Sequence, residues 1–396
     1  MDHPTLPTFD GLNRMVVAID QLSFSTSFTF DANGRNTVIE DPNGGLISMA
    51  YSARNEMVSV ANQVGLATSY SFDPVGNRLT RQFANGQQTT YSYDGDRRQL
   101  LAIYADGTLL TFAYDNLGNR LRMVDSTGQT TFSYDAANRY GGKTDPGPFV
   151  QAILYDITSQ RKTLSDSDGG ITTYGYDWDA RTTIFETPDS AILTMSYDGA
   201  ARLTTENFNS GFSRSRSYDA NNQLIRINET GAAGTIGFWT FGYDSVRNRQ
   251  VVADLPSNLS TYTMDAKSRL ISDDTTGPNA HDYAYSYDSR DNRLTSNETG
   301  PLATWAYDAA SRIIASNAAG ALTSSGYDSN GNLTQVNKGG ALSSMTYDVE
   351  NRLALYEDST NTATYMYSGD GLKRVELVNG ALATLVWDGT DYYGGI

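Results

Sequence analysis

The chain has 396 residues, a formal net charge of −16 and no cysteine. Without cysteine there are no disulfides or thiolate metal sites, and two histidines, His3 and His281, are too few for a histidine-based metal centre. Phosphate backbones require clustered Lys and Arg, so the acidic balance predicts no nucleic-acid binding. No eighteen apolar residues run together and residues 1–12 lack a signal-peptide pattern, so no membrane span or export signal is expected.

An aromatic residue followed by aspartate recurs along the whole chain, and sixteen of the eighteen intervals between these positions are 20 or 21 residues. The two longer intervals, 25 residues after Tyr218 and 23 after Met264, are insertions that preserve the register. The period predicts a repeat array with an N-terminal edge at 1–8 and a single body over 9–396. The nineteen repeat positions are Phe9, Phe30, Tyr51, Phe72, Tyr93, Tyr114, Tyr134, Tyr155, Tyr176, Tyr197, Tyr218, Tyr243, Met264, Tyr287, Tyr307, Tyr327, Tyr347, Tyr367 and Trp387.

Each repeat is predicted to be a β-hairpin. In residues 87–107, Thr89, Tyr91 and Tyr93 share one face of a strand, which is the period of two of a pleated strand. The aspartate after the aromatic residue opens a turn, and an arginine and a leucine then begin the return strand. The fourth turn position favours residues that tolerate positive φ. Its occupants include Gly34, Gly76, Gly118, Gly331, Gly371, Asn138, Asn222 and Asn351.

A second turn closes each repeat with a pair such as Asn85-Gly86 or Gly339-Gly340, and these pairs predict primed two-residue turns. Hairpins that pair with their neighbours give an all-β, continuous antiparallel array of about 38 strands. Such a sheet is too long to stay flat. A propeller would need nine and a half blades, and a parallel β-helix would not need these turns. A hollow, shell-like spiral is therefore expected.

The pattern Tyr-Asp-X-X-Gly-(Asn)-Arg-Leu, present in residues 72–79 and 114–121, resembles the YD repeat of the RHS family. The resemblance extends from about Phe9 to Trp387. It implies a strip of β-hairpins that spirals into a shell, as in bacterial RHS toxins, the B and C components of Tc toxins and the teneurin shell. It also implies an extracellular or cell-surface location. Nineteen hairpins predict one or two turns of spiral with open rims.

In bacterial relatives a core segment follows the repeats, with an aspartate-dependent self-cleavage site and a toxin domain held inside the shell. The Asp-Pro-X-Gly-Leu motif of that segment is absent, and neither Asp41-Pro42 nor Asp145-Pro146 is followed by its Gly-Leu. The resemblance therefore does not carry self-cleavage or toxin activity over to this chain. The resemblance implies as a partner the C-terminal core or toxin segment of a longer parent protein.

The repeated polar and aromatic residues have two interpretations each. Aspartates follow the aromatic position in 17 of 19 repeats, and they either cap turns or collect Ca²⁺. Arginines either pack on tyrosine rings and pair with aspartates or form a ligand-binding row. Tyrosine rows either pack across strands or stack on sugar rings. Capping and packing are the simpler explanations, so no metal, cofactor or ligand-binding residue is assigned.

No catalytic constellation is recognisable, and the predicted function is a non-enzymatic structural shell module. A carbohydrate- or partner-binding surface is the alternative, and a glycoside hydrolase built on paired carboxylates is a further one. His281 is predicted to lie in a polar loop. Irregular stretches at 141–149, 230–239 and 273–281 are the places where a unique local function would sit. Unpaired strands at the chain ends predict edge-to-edge self-association.

Overall fold

The computed structural model describes residues 7–147, 149–298, 300–318, 320–389 and 391–395. All regular secondary structure within these ranges is β-strand, so they contain no helix that could cross a membrane. The first half of the chain forms β1 (Thr8–Phe9), β2 (Met15–Ile19), β3 (Ser25–Phe30), β4 (Asn36–Glu40), β5 (Leu46–Tyr51), β6 (Met57–Ala61), β7 (Ala67–Phe72), β8 (Arg78–Gln82), β9 (Gln88–Tyr93), β10 (Gln99–Ile103), β11 (Leu109–Tyr114), β12 (Arg120–Asp125), β13 (Gly128–Tyr134), β14 (Tyr140–Thr144), β15 (Val150–Tyr155), β16 (Arg161–Asp166), β17 (Ile171–Tyr176), β18 (Thr182–Glu186) and β19 (Ile192–Tyr197).

The second half forms β20 (Leu203–Phe208), β21 (Ser213–Tyr218), β22 (Leu224–Gly231), β23 (Gly234–Tyr243), β24 (Arg249–Asp254), β25 (Asn258–Met264), β26 (Leu270–Thr276), β27 (His281–Tyr287), β28 (Arg293–Asn297), β29 (Ala303–Tyr307), β30 (Ile313–Ala318), β31 (Ala321–Tyr327), β32 (Leu333–Lys338), β33 (Ala341–Tyr347), β34 (Leu353–Glu357), β35 (Thr362–Tyr367), β36 (Lys373–Val378), β37 (Ala381–Asp388) and β38 (Asp391–Gly395).

These strands belong to one antiparallel sheet in which sequence neighbours are also spatial neighbours. Ala102 in β10 pairs with Tyr91 in β9 on one side and with Leu110 in β11 on the other. Strands β9 and β10 form the hairpin of one repeat, and β11 is the first strand of the next. The pairing of β10 with β11 therefore joins one repeat to the next. The predicted all-β, antiparallel hairpin array is therefore confirmed. Separate propeller blades and parallel rungs do not describe these ladders.

The turn after the aromatic residue, here called the YD turn, has the predicted left-handed position. The Asp115 amide donates to the Asn119 carbonyl at 2.9 Å, and the Gly118 amide donates to the Asp115 carbonyl at 3.1 Å. Gly118 has φ 89°, and Asn138 at the equivalent position has φ 62°. The strand register shifts beside Tyr114, as expected when a type I turn ends in a left-handed residue and forms a bulge.

The second turn, here called the return turn, differs from the prediction where the repeat interval is 21 residues. Between Tyr93 and Tyr114, the amide of Tyr104 donates to the carbonyl of Thr108, which leaves a three-residue loop. The predicted two-residue turn is found where the interval is 20, as at Asn379-Gly380, where φ is 49° and 84°. An odd interval needs an odd loop to keep the strand faces in register, so the prediction of primed turns in every repeat was wrong.

The insertions lengthen hairpins rather than adding irregular loops. In 230–239 the chain is almost entirely strand, since β22 and β23 have 8 and 10 residues. In 273–281, β26 continues to Thr276 and β27 begins at His281, so the predicted loop position of His281 was wrong. The stretch 141–149 begins inside β14, and its residue 148 lies outside the described residues.

Contacts divide the chain into two units. One is Thr130–Ala284, and the other consists of the described parts of His3–Gln129 and Tyr285–Ile396. The single repeat body expected over 9–396 stays a prediction. Apolar side chains with full burial are few among the described residues, because one sheet has little interior. They are Ala102, Leu110, Met123, Phe149, Ile153, Leu164, Ala363 and Val386.

Candidate functional site

The turn aspartates hold the YD turns together. One carboxylate oxygen of Asp31 accepts the amides of Asn33 and Arg35 at 2.9 and 3.0 Å. Asp94, with Asp96 and Arg98, repeats this geometry. The carboxylate thereby satisfies backbone donors that the loop leaves without a ladder partner. The predicted capping role is confirmed, and within the described ranges no three His, Cys, Asp or Glu side chains are placed to hold a metal ion.

The turn arginine links its own aspartate to the next repeat. Arg35 Nε donates to Asp31 Oδ2 at 2.6 Å, Arg35 Nη1 donates to the Ser52 carbonyl at 2.7 Å, and its guanidinium lies 4.8 Å from the Tyr51 ring centroid. This confirms the predicted packing on tyrosine and pairing with aspartate. The same stacking on the next aromatic residue, at 4.5 to 5.1 Å, is made by Arg14, Arg35, Arg98, Arg139, Arg181, Arg202, Arg312 and Arg352.

These contacts lower the pKa of the turn carboxyls. The Arg35 side chain, hydrogen-bonded to Asp31, lowers the pKa of that carboxyl below its ordinary value, and Arg181 does the same for Asp177. Where asparagine replaces the arginine, the Asn119 side-chain amide lowers the pKa of Asp115. Hydrogen bonds to the charged form favour ionisation, so these carboxylates stay charged well below neutral pH.

Acidification is expected to destabilise the array. A carboxyl with a lowered folded-state pKa contributes stability that is complete above its unfolded pKa and is lost as the pH falls through the folded pKa. The melting temperature should therefore change little from pH 7 to about 5 and fall steeply below about 4. Thermal melts by circular dichroism across this range measure the effect. In Asp31→Asn the melting temperature should fall less between about pH 4 and pH 2 than in the parent chain. A melting temperature constant down to about pH 3 would contradict the stabilising role of the turn carboxylates.

The repeat tyrosines are more than packing groups, because their hydroxyls bind the preceding repeat. The Tyr197 hydroxyl donates to the Thr182 carbonyl at 2.7 Å, fifteen residues earlier. The carbonyls lie at the start of the return strand, so the bond joins adjacent hairpins. The sequence patterns did not predict this role, although tyrosine is more frequent than phenylalanine at the repeat positions. The same bond is made by Tyr93, Tyr114, Tyr155, Tyr176, Tyr218, Tyr243, Tyr307, Tyr327, Tyr347 and Tyr367.

Removing one of these hydroxyls should have a measurable cost. Tyr197→Phe leaves the Thr182 carbonyl without this donor, so we expect the free energy of unfolding to fall by about 0.5–1.5 kcal/mol. Tyr51→Phe is the matched control, because the Tyr51 hydroxyl contacts the Met49 sulfur at 3.8 Å instead of a carbonyl. Urea unfolding of both variants distinguishes them, and equal losses would show that the hydroxyl bond contributes nothing specific.

In the unit that combines the two ends of the chain, YD turns of late repeats lie against return turns of early repeats. Arg290 Nη2 is 2.8 Å from Asp41 Oδ1, and the Gly369 amide donates to Asp125 Oδ2 at 2.6 Å. The partners are separated by 244 to 269 residues, or twelve to thirteen repeats. This contact line is called the seam below. Its other pairs are Ser289 with Asn43, Asn330 with Asn85, Glu350 with Arg81 and Thr89, Asp370 with Arg120, and Thr127 with Arg374.

The late-repeat residues of the seam share a position in their turns. Apart from Arg374 in β36, the contacting residues of late repeats are the first and second residues after the turn aspartate or serine, which we call the tip residues. Ser289 and Arg290 follow Asp288, and Glu350 is the second residue after Asp348. Most of them meet the return turns and the strand ends beside them, while Asp370 meets Arg120 at the YD-turn end of β12, so one edge of the sheet is complementary to the other.

Besides a cavity of about 230 Å³ beside Asn85 and Asn330, two further cavities lie along the seam. The larger has a volume of about 330 Å³ and is lined by Ile47, Val60, Asn62, Leu66, Thr68, Phe83, Ala84 and Asn330. The smaller, of about 140 Å³, contains Asp125 and Asp348, which are already hydrogen-bonded within the seam and the turn. Beside it, burial raises the pKa of Tyr104 to about 12, so this phenol stays protonated. The cavity of about 140 Å³ is smaller than ordinary ligand sites, which have volumes of about 300–1,000 Å³.

The histidines add no recognisable chemistry. His3 lies outside the described residues. His281 stacks on Tyr283 with ring centroids 4.0 Å apart, its Nδ1 is 2.9 Å from the Asn279 carbonyl, and its Nε2 is 3.3 Å from Asp273 Oδ1. These contacts hold the imidazole at the start of β27.

Comparison with known proteins agrees with this repeat chemistry. The family model described as RHS Repeat matches residues 72–109. No curated protein matches the chain. TcdB2-TccC3 without its hypervariable C-terminal region is 12% identical with a TM-score of 0.54, covering 98% of this chain and 29% of that one. TcdB2-TccC3 itself is 13% identical with a TM-score of 0.50 over 97% of this chain and 30% of that one.

A Tc holotoxin pore of Photorhabdus luminescens is similar at 13% identity, with a TM-score of 0.53, 96% coverage of this chain and 27% of that chain. The chain thus spans less than a third of the length of these structures. Identity this low shows the fold and not the activity. Residues 72–109 thus match the RHS repeat, and the fold of the chain is similar to that of the TcdB2-TccC3 structures.

Proposed function

We propose that this chain is a non-enzymatic wall segment of an RHS-type shell, and that the function of its sheet is to form that wall. The seam is the observation that carries the proposal. Repeats twelve or thirteen apart lie edge against edge, as expected for a sheet that returns beside its own earlier strands. Buried pairs such as Arg290 with Asp41 would then join repeats twelve apart and close the wall between them.

The partner expected from this proposal is a C-terminal core or toxin segment of a longer parent protein, enclosed by the wall. Similarity to TcdB2-TccC3 and to a Tc holotoxin supports a toxin-associated role at the level of the family. From the same similarity we propose a secreted or cell-surface location. Edge-to-edge pairing of terminal strands remains a prediction, because an unpaired strand edge is a template for another chain.

Electron microscopy of the isolated chain tests the wall. Class averages should contain a curved wall with stain on both sides. A compact, solid particle would overturn the proposal. The absence of turnover on polysaccharide substrates should accompany this result, and carboxylate-dependent hydrolysis would revive the glycoside hydrolase alternative.

Carbohydrate binding remains the alternative function. Many repeat tyrosines carry an arginine on the ring and donate their hydroxyl to a carbonyl, which favours packing over sugar stacking. A glycan array with the full chain tests the alternative directly. Saturable binding would favour an adhesin-like surface, whereas its absence would remove that function.

A further inference from the structure

The seam has no polar contact at residues 62–66, which form one of its early return turns. The preceding return turn pairs Asp41 with Arg290. The following return turn pairs the amide of Asn85 with the side chain of Asn330. Within the described residues, no hydrogen bond or ion pair joins 62–66 to a late repeat, since its bonds close its own turn. The contact line is therefore interrupted between two closed positions.

The small tips of one late repeat explain the interruption. The YD turn between those of Arg290 and Asn330 has alanine at both tip positions, Ala309 and Ala310. An alanine side chain has no hydrogen-bonding group to offer across the seam. The two edges nevertheless stay close, because an added Cβ at Gly331 would be 3.9 Å from Leu66 Cδ1. The cavity of about 330 Å³ lies beside this return turn, where no larger tip fills the space.

The lining of this cavity is mainly apolar. Ile47, Val60 and Leu66 supply aliphatic side chains, and Phe83 supplies an aromatic ring. Val60 pairs with Thr68 across neighbouring strands, so both side chains lie on the same face of the sheet. None of the described lining residues carries a charge. A volume of about 330 Å³ is within the range of small-molecule sites, which is about 300–1,000 Å³.

Two polar groups of the lining are available to a ligand. Asn62 Oδ1 accepts the amides of Val64 and Leu66 at 3.2 and 3.0 Å, which fixes this side chain and leaves its amide N–H groups without a partner among the described residues. The Thr68 hydroxyl also makes no hydrogen bond to them. Asn330, in contrast, is already bonded through both atoms of its side-chain amide. An apolar lining with a few placed polar groups is typical of sites for small molecules.

We propose that this cavity, called the seam pocket, binds a small uncharged molecule that has an apolar ring body and one hydroxyl or carbonyl oxygen. The oxygen accepts a hydrogen bond from the Asn62 amide, and a ligand hydroxyl also bonds to Thr68. The ring body packs against Phe83 and the aliphatic side chains. A charged ligand is disfavoured, because no lining group compensates for the loss of its hydration. The occupant contacts Asn330 as well as the early edge, so its binding stabilises the closed seam.

Binding of 1-naphthol to the full chain, followed by methyl NMR, tests the proposal. The methyl signals of Ile47, Val60 and Leu66 should shift saturably, with a dissociation constant of about 1 mM or lower. The same rings with a carboxylate, as 1-naphthoate, should bind at least about tenfold more weakly. Saturating 1-naphthol should also slow hydrogen exchange at the return turn 83–87, because it stabilises the seam beside that turn.

Two variants locate the binding site. Ala84→Leu fills the seam pocket from its return turn and should weaken binding of 1-naphthol by at least about tenfold. Ala105→Leu is the matched control, because Ala105 is exposed at the same turn position one repeat later and does not line the cavity. Its affinity should equal that of the parent chain. Thr68→Val keeps the shape of the side chain and removes the hydroxyl, so it should weaken binding by about two- to tenfold.

Several outcomes would overturn the proposal. These are the absence of saturable shifts at the three methyl-bearing residues, 1-naphthoate binding as tight as that of 1-naphthol, and parent-like affinity in Ala84→Leu or Thr68→Val. Unchanged methyl signals outside the pocket show that each variant is folded, and Thr68→Val decides the matter if Ala84→Leu is not. Binding without slower exchange at 83–87 would contradict stabilisation of the seam. None of these results would affect the shell wall, which electron microscopy tests separately.

Discussion

Alanine at Gly142 is expected to disrupt the pairing of β14 with β15. Gly142 has φ 137°, and an added Cβ would lie 2.1 Å from the Gln151 carbonyl oxygen and 2.9 Å from Ala152 Cα. These are backbone atoms of the paired strand, so relief requires the strands to separate. We expect a loss of about 3 kcal/mol or more in the free energy of unfolding, measured by urea unfolding, with faster hydrogen exchange in β14 and β15.

The neighbouring glycine provides the control. At Gly141 an added Cβ would be 3.4 Å from the Ser133 carbonyl oxygen and hydroxyl, and the residue does not have a left-handed φ. Gly141→Ala should therefore cost less than about 1 kcal/mol. Similar losses in the two variants would show that steric contact with the Gln151 backbone does not explain the glycine.

Replacing Arg290 with methionine is expected to open the seam. Arg290 and Asp41 are 9% and 16% exposed, and the Asp41 carboxylate would remain without its cation. Breaking a buried pair by removing one partner costs about 3–5 kcal/mol, because the remaining charge is uncompensated. Hydrogen exchange should accelerate at the return turn that contains Asp41 and at the YD turn that contains Arg290. The hairpin ladders elsewhere should keep their protection.

Arg122→Met controls for the loss of one positive charge in the same unit, because Arg122 is exposed on β12. Its exchange rates at the seam should match those of the parent chain. Unchanged exchange in Arg290→Met, or equal acceleration in both variants, would contradict a seam held by this buried pair.

The repeat itself could be read from the sequence because each of its determinants is local. Period-two aromatic positions predicted the strands, and Asp115 with Gly118 predicted the YD turn down to its left-handed residue. Return turns were only half predictable. Glycine pairs indicate a turn, but the loop has two residues where the interval is 20, as at Asn379-Gly380, and three where it is 21, as between Tyr104 and Thr108.

The remaining features depend on distant partners. Nothing near Tyr197 in the sequence identifies the Thr182 carbonyl as its acceptor. Nothing in the sequence indicates that Arg290 pairs with Asp41 either, because twelve repeats separate the two residues. His281 was expected in a loop since the surrounding insertion is polar, yet antiparallel pairing extends β26 and β27 through most of that insertion.

The most direct test of the account uses the cysteine-free background of the chain. Asn43→Cys with Ser289→Cys places two thiols at side chains that are in contact across the seam. Mild oxidation should give an intramolecular disulfide, detected by non-reducing electrophoresis and by mass spectrometry of the linked peptides. Asn43→Cys with Ser329→Cys uses the equivalent tip two repeats later and should not react. Failure of the first pair, or equal yields from both pairs, would contradict a wall in which specific repeats twelve apart lie edge against edge.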